Sequence, residues 1–289
     1  MPDFSDLLDV RTRRPEAIAA AAAARRRPTS LFGPHGKLMI IAADHPARGA
    51  LRAGADPMAM ANRLDLLDRI RVALDRPGVN GVLGTPDVIE DLLLLGALDD
   101  KVVIGSMNRG GLAGTTFEMD DRFTAYDAES IAAAGLEGGK MLLRIDPADP
   151  GTVATLAACG KAVGELAARR RMAMVEPFIS HRVDGRIRNE LTADAMIRAM
   201  TVSAGLGNTS AYTWLKVPTV DDMERVMAAT TLPALILGGE VSSDADAAYA
   251  QWSKALALPT VQGLVIGRSL LYPPNGDVAG AVDRAVSLL

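Results

Sequence analysis

One cysteine, three histidines and 4% aromatic residues in 289 positions are the scarcities of this chain, and each closes a route. A lone Cys159 excludes an intrachain disulfide and fits a reducing cytoplasmic setting. His35, His45 and His181 show no tight ligand spacing, so no metal centre is expected; no other cofactor is expected either. No apolar stretch reaches the roughly 18 residues of a membrane span. The alanine run Ala17–Ala24 leads into Arg25-Arg26-Arg27, the wrong polarity for a secretory signal, and reads as a helix. A net charge of −4 and a pI near 5.5 argue against a nucleic-acid or anionic-membrane partner.

What is present is aliphatic. A 49% hydrophobic content rich in Ala, Leu, Val and Gly suits helices packed on parallel strands. Strand-like runs at Lys37–Asp44, Val79–Leu83, Lys101–Met107, Lys140–Asp146, Met172–Phe178, Tyr212–Val217, Ala234–Gly238 and Gly263–Gly267 make about eight. Helix-like stretches fall between them at Pro57–Leu74, Pro86–Leu95, Ala125–Ala134, Gly151–Arg170, Ala193–Gly205, Val220–Ala229, Ala245–Ala257 and Val278–Leu289. Asp56, Thr85, Thr192, Asp244 and Asp277 stand as capping residues before five of them. Eight such units in one undivided chain predict an α/β fold, a (β/α)8 TIM barrel, rather than a doubly wound sheet. Residues 1–36 add an N-terminal helical extension, either a lid on the barrel bottom or a surface and oligomer-contact helix. Homo-oligomers are an expectation by association with this fold alone.

Lys216 stands out. It ends the apolar run Tyr212-Thr213-Trp214-Leu215-Lys216-Val217-Pro218, where an ammonium is costly unless it is paired or made neutral. A neutral lysine amine attacks carbonyls and forms Schiff bases. Period-2 geometry puts Lys216 on one face with Trp214 and Tyr212, so Trp214 either walls a substrate pocket or fills the barrel core. The same rule aligns Lys140, Leu142, Arg144 and Asp146 on the fourth strand. With Asp44 ending the first strand and Glu176 on the fifth, the carboxyl end of the barrel would gather two lysines, an arginine and two or three carboxylates. Taken singly, each is better explained as a solvated rim charge or a salt-bridge partner. Together they mark a site, in which Lys140, as a second ammonium near Lys216, favours the free amine.

Two glycine-bearing strand ends give the second chemical signal. Gly238-Gly239-Glu240 and Gly267-Arg268-Ser269 follow strands seven and eight, where TIM barrels cradle phosphates, and Arg268 adds a cation. The methionines Met172, Met174, Met196, Met200, Met223 and Met227 read as core filler, and Cys159 as buried and inert.

The blocks Asp44-His45-Pro46-Ala47-Arg48-Gly49-Ala50-Leu51, Phe117-Glu118-Met119-Asp120, Glu137-Gly138-Gly139-Lys140-Met141-Leu142-Leu143, Met174-Val175-Glu176-Pro177-Phe178, Trp214-Leu215-Lys216-Val217-Pro218 and Gly263-Leu264-Val265-Ile266-Gly267-Arg268 resemble, in order, those of class I aldolases. The resemblance is to the group of tagatose-1,6-bisphosphate aldolase, archaeal class I fructose-bisphosphate aldolase and sulfofructosephosphate aldolase, and it spans about Lys37 to Arg268. It implies Lys216 as the Schiff-base lysine, Lys140 as a second active-site lysine, Glu176 as acid and base, and Asp44 as an active-site carboxylate. It also implies Arg48, Gly238, Gly239, Gly267 and Arg268 as substrate and phosphate contacts. The expected activity is reversible cleavage of a phosphorylated ketose or keto-sugar acid to dihydroxyacetone phosphate and an aldehyde. Two departures bear on the substrate: Arg144 stands where the tagatose enzyme is tyrosine-rich, and His45-Pro46 is inserted before the arginine. Arg144 would suit a substrate carboxylate, as in the deoxy-ketogluconate phosphate of inositol breakdown. His45 and His181 are further anion contacts or plain loop residues. A phosphate-binding isomerase or decarboxylase, a thiolase-like acyl transferase and a non-catalytic sugar-phosphate sensor would use the same pocket, and Lys216 separates them.

Overall fold

In the computed structural model, which describes residues 4–33, 36–108, 111–241 and 244–289, eight parallel strands close into a barrel. They are β1 (Leu38–Ala42), β2 (Gly81–Gly84), β3 (Val102–Ser106), β4 (Gly138–Ile145), β5 (Met172–Val183), β7 (Thr213–Val217), β8 (Ala234–Leu237) and β9 (Val261–Ile266). Strand order runs β4-β3-β2-β1-β9-β8-β7-β5, and pairing of β5 back onto β4 completes the circle. The expected (β/α)8 barrel is the fold.

Continuous apolar runs make these strands because a parallel strand inside a barrel is buried on both faces. In β1, Leu38, Ile40 and Ala42 enter a lumen cluster with Leu83, Ile104, Met174, Leu235 and Val265, while Met39 and Ile41 join the larger core under the helices. Around the barrel lie α3 (Arg63–Leu74), α4 (Pro86–Leu94), α5 (Ala128–Ala133), α6 (Gly151–Ala168), α7 (Ala193–Ala204), α8 (Met223–Met227), α9 (Ala245–Leu256), α10 (Arg268–Leu271) and α11 (Val278–Val286). Thr192, Asp244 and Asp277 cap α7, α9 and α11 through their side chains. Thr85 occupies the cap position of α4, but its hydroxyl donates to Asp87 Oδ1 instead. Asp56 caps no helix. Residues 57–60 form turns, and α3 opens six residues later than expected, after Asn62, whose side chain accepts from Leu64 N and Asp65 N.

The extension is two helices, α1 (Phe4–Arg13) and α2 (Ala17–Ala24), split at Pro15. Both lie on the flank of the barrel beside α4: Arg11 donates to Asp91 Oδ1 at 2.9 Å. Buried Arg25 then ties the chain to the amino ends of β3 and β4, donating to Lys101 O, Gly135 O and Glu137 Oε1. After it, Leu31 packs on the lumen cluster and Phe32 meets the Trp214 ring at 6.0 Å. Trp214 therefore faces the lumen as expected but belongs to the barrel bottom, not to a substrate pocket. A residue two positions before Lys216 sits about 6–7 Å lower along the strand.

Most strand ends shift by one or two residues from expectation, and the end of β5 shifts furthest. Strand β4 starts two residues early, at Gly138, which pairs with Met172 so closely that a Cβ would press on the Met172 carbonyl oxygen. Strand β5 continues to Val183, then turns through Asp184 (φ 51°) and Gly185 (φ 75°) into β6 (Arg186–Asn189). Positive φ at both central residues is what a two-residue hairpin demands, and Asp-Gly supplies it. Among the described residues, no helix is long and apolar enough to cross a membrane.

Candidate active site

At the carboxyl end of the barrel a cavity of about 600 Å³ opens above the lumen cluster. Its floor is a buried chain of charges. Lys216 Nζ donates to Glu176 Oε1 at 2.7 Å, and Lys140 Nζ pairs with the other oxygen of the same carboxylate. Lys140 also donates to Asp44 Oδ2 at 3.2 Å, which in turn accepts from Ser106 Oγ at 3.1 Å. Asp44, Lys140, Glu176 and Lys216 are all below 9% exposed. Burial pushes the Glu176 carboxyl up, but the nearby Lys140 and Lys216 charges outweigh it and hold the group well below the usual carboxylate range.

Asp44, Glu176 and Lys216 reach the cavity wall, whereas Lys140 does not. Its Cα is in register with Met174, two residues below Glu176, so it supports the floor from beneath. The two ammonium groups thus meet through a shared carboxylate between them.

Arg144 corrects the sequence reading. It touches the cavity, yet its donors are already engaged: Nε and Nη2 grip Asp121 at 2.8 and 2.6 Å, Nη1 reaches Glu118 Oε1 at 3.3 Å, and Nη2 also donates to Glu118 O. A guanidinium so committed anchors the loop after β3 and leaves little for a substrate carboxylate. Replacing it strands the fully buried Asp121 carboxylate. Arg144→Ala is therefore expected to lower stability by about 3–5 kcal/mol, read as a lower thermal midpoint; an unchanged midpoint would contradict the anchoring role. Arg48 is also held in this network, donating to Gly111 O at 3.2 Å and Glu118 Oε1 at 3.5 Å. Asp146, expected near the pocket, instead closes the turn into α6 by accepting from Ala148 N.

Gly238, Gly239, Gly267 and Arg268 line the opposite wall. Arg268 donates weakly to Arg52 O and Gly239 O, and its buried Nε has no hydrogen-bond partner among the described residues. Burial pulls its guanidinium below the usual arginine range against the attraction of Glu240, Glu176 and Asp44. Gly267 opens the short helix α10, and a Cβ there would overlap the Ala42 carbonyl oxygen. Gly267→Ala is expected to cost about 1–3 kcal/mol of stability, measured as a urea midpoint.

The Cgl0159-like family model matches residues 36–286. The chain belongs to the Cgl0159-like family. A crystal structure of Cgl0159 from Corynebacterium glutamicum is 53% identical, covers 99% of this chain and 96% of that one, and superposes with a TM-score of 0.96. An archaeal fructose 1,6-bisphosphate aldolase is 18% identical over 94% of this chain and 98% of its own, with a TM-score of 0.66. The fructose-bisphosphate aldolase from Slackia heliotrinireducens is 16% identical over 88% and 85%, with a TM-score of 0.63. At such identities these aldolases share the barrel fold with the Cgl0159-like chain. No curated protein matches it.

Several cavity residues of this family member escaped the sequence reading. Ile187, Arg188 and Asn189 of β6, with Leu191 beyond it, cover one side of the mouth. The Asp184-Gly185 turn signal could have found them. Ser106 and Asn108 carry no motif. Asn108 replaces a missing ladder bond by accepting from Leu142 N and donating to Leu142 O, both at 2.6 Å. His45 lines the cavity 3.9 Å from Asp44, while His181 lies on β5, 3.3 Å from Glu190. His35 lies outside the described residues. Among the described residues no group of three or more His, Cys, Asp or Glu side chains is placed to hold a metal ion. Cys159 is fully buried in α6, and burial pushes its thiol up to about 12.

Proposed function

We propose that this protein is a class I aldolase: Lys216 forms a Schiff base with a phosphorylated ketose, and the bond cleaved yields dihydroxyacetone phosphate and an aldehyde. The observation that carries this reading is a buried strand-end lysine bonded to a carboxylate at 2.7 Å, with that pair opening onto a cavity large enough for a sugar phosphate. The group of aldolase-like sequence blocks and the barrel shared with two aldolases are consistent with it.

The chemistry follows from the contacts. The resting Lys216–Glu176 pair is ionic, so Glu176 takes a proton from Lys216 uphill, and the small amount of free amine so formed adds to the substrate ketone carbon. The carbinolamine hydroxyl leaves as water with a proton returned by Glu176, giving a protonated iminium. When the C3–C4 bond breaks, its electron pair enters the iminium and forms an enamine. The C4 hydroxyl loses its proton to Asp44 and becomes the aldehyde. Protonation of the enamine and hydrolysis then release dihydroxyacetone phosphate and restore Lys216. Lys140 stays charged beneath, holding Glu176 and Asp44 in place. Arg268 and the backbone at Gly239 and Gly267 receive the phosphate.

The reading is tested by incubating the protein with a panel of ketose mono- and bisphosphates and measuring dihydroxyacetone phosphate release with and without EDTA. Release insensitive to the chelator is expected. Release from none of them, or its loss with EDTA, would contradict the proposal.

A further inference from the structure

Arginine triplets occur twice in a chain whose net charge is −4, at Arg25-Arg26-Arg27 and Arg169-Arg170-Arg171. The fold brings them together at the amino end of the barrel, opposite the cavity. The first triplet follows α2, and the second closes the turn from α6 into β5. Their meeting point is Glu137, directly before β4. Arg25 Nη2 donates to Glu137 Oε1 at 3.0 Å, and Arg27 Nε donates to the same oxygen at 2.9 Å. Gly138 pairs with Met172, and Met172 N donates to Glu137 O at 3.0 Å, so Arg171 stands across the ladder from Glu137.

Charge does not balance there. Glu137 is buried, and it is the only carboxylate paired with Arg25 or Arg27 among the described residues. Its Oε2 also accepts from Val103 N at 2.8 Å. Arg26 turns away to Asp99 and Asp100. The Arg171 side chain has neither an ion pair nor a hydrogen bond among the described residues, and its Nε is buried. Arg25, 7% exposed, also has a buried Nε without a partner among them. Burial pulls the Arg171 guanidinium below the usual arginine range, and Arg27 and Arg25 push it further down against the attraction of Glu137. Three guanidinium groups thus face one carboxylate, an excess of two positive charges. A half-buried cation beside two others, with an unused donor, is unfavourable until an anion completes it. Arg27 is 46% exposed and Arg171 half-buried, so the cluster is open to solvent.

We propose that Arg27 and Arg171, backed by Arg25, form an anion site at the amino end of the barrel that takes a phosphate dianion, free or as the monoester of a small molecule. Two negative charges match the excess of two positive ones, and paired guanidinium N–H donors suit a tetrahedral oxyanion. The site joins the segment after α2 to the α6–β5 turn, so its occupancy clamps the N-terminal extension to the barrel. It is independent of the chemistry at Lys216.

The test is made on the full-length protein carrying Arg268→Gln, which keeps the cavity wall from contributing phosphate binding. Thermal melts in phosphate are compared with melts in chloride at equal ionic strength, and calorimetry gives the affinity for inorganic phosphate and for glycerol 1-phosphate. At roughly thirty times Kd, phosphate should raise the midpoint by about 3 °C or more over chloride. Adding Arg171→Gln should leave the midpoint in chloride unchanged or higher, because an unpaired cation is removed, yet abolish the phosphate rise and weaken binding at least about tenfold. Arg171→Lys, which keeps the charge without the fork, should restore part of both. The tighter of the two ligands tells the free ion from a monoester. No phosphate response without the Arg171 substitution, a response that survives Arg171→Gln, or a midpoint lowered by Arg171→Gln in chloride overturns the proposal.

Discussion

Lys216→Met should abolish turnover, lowering kcat by at least about 10⁴-fold, the scale seen when a covalent nucleophile is lost. The substitution removes the only atom proposed to bond to substrate, and no neighbour can stand in. Lys140 is buried beneath Glu176 and does not touch the cavity. The variant should nonetheless fold, because Glu176 keeps Lys140 as a counter-ion and a methionine fills the space of the lysine stem. Activity and a thermal melt on the same preparation check both halves. A variant that keeps a tenth of the rate would remove Lys216 from the chemistry.

Lys140→Met should act the other way, mainly on stability. Lys140 is 1% exposed and pairs with two buried carboxylates, so its removal takes a counter-ion from Glu176 and from Asp44 at once. Breaking a buried pair by deleting one partner costs about 3–5 kcal/mol, a fall in Tm on the order of 10 °C for a chain of this size. The Lys216→Met cost should be smaller, because only Glu176 loses a partner there and it retains one. The order of the two melting points is the informative result: Lys140→Met at or above Lys216→Met would contradict the proposed division between support and chemistry.

Much of this was legible in the residues for a physical reason. Alternation along a strand fixes which side chains share the lumen, so Lys140 and Arg144 on one strand, and Trp214 and Lys216 on another, were assigned to the correct face. Depth along the strand was the weaker inference. Lys140 and Trp214 face inward but lie one layer too low to wall the cavity, since facing inward does not fix height. Partners from loops were invisible. Arg144 looked like a free cation because Glu118 and Asp121, which bind it, lie more than twenty positions earlier in a segment without periodicity. The β5–β6 hairpin was overlooked although Asp184-Gly185 announces it, because the expected strand stopped at Phe178 and the following polar residues read as loop. Apolar strand runs survived as predicted because burial on both faces leaves them no alternative.

The most direct measurement is borohydride reduction of the protein in the presence of dihydroxyacetone phosphate, followed by peptide mass mapping. The account predicts a stable reduced adduct on Lys216 and none on that peptide in Lys216→Met. An adduct on Lys140 instead, or no adduct on any lysine under conditions where the ligand binds, would contradict it.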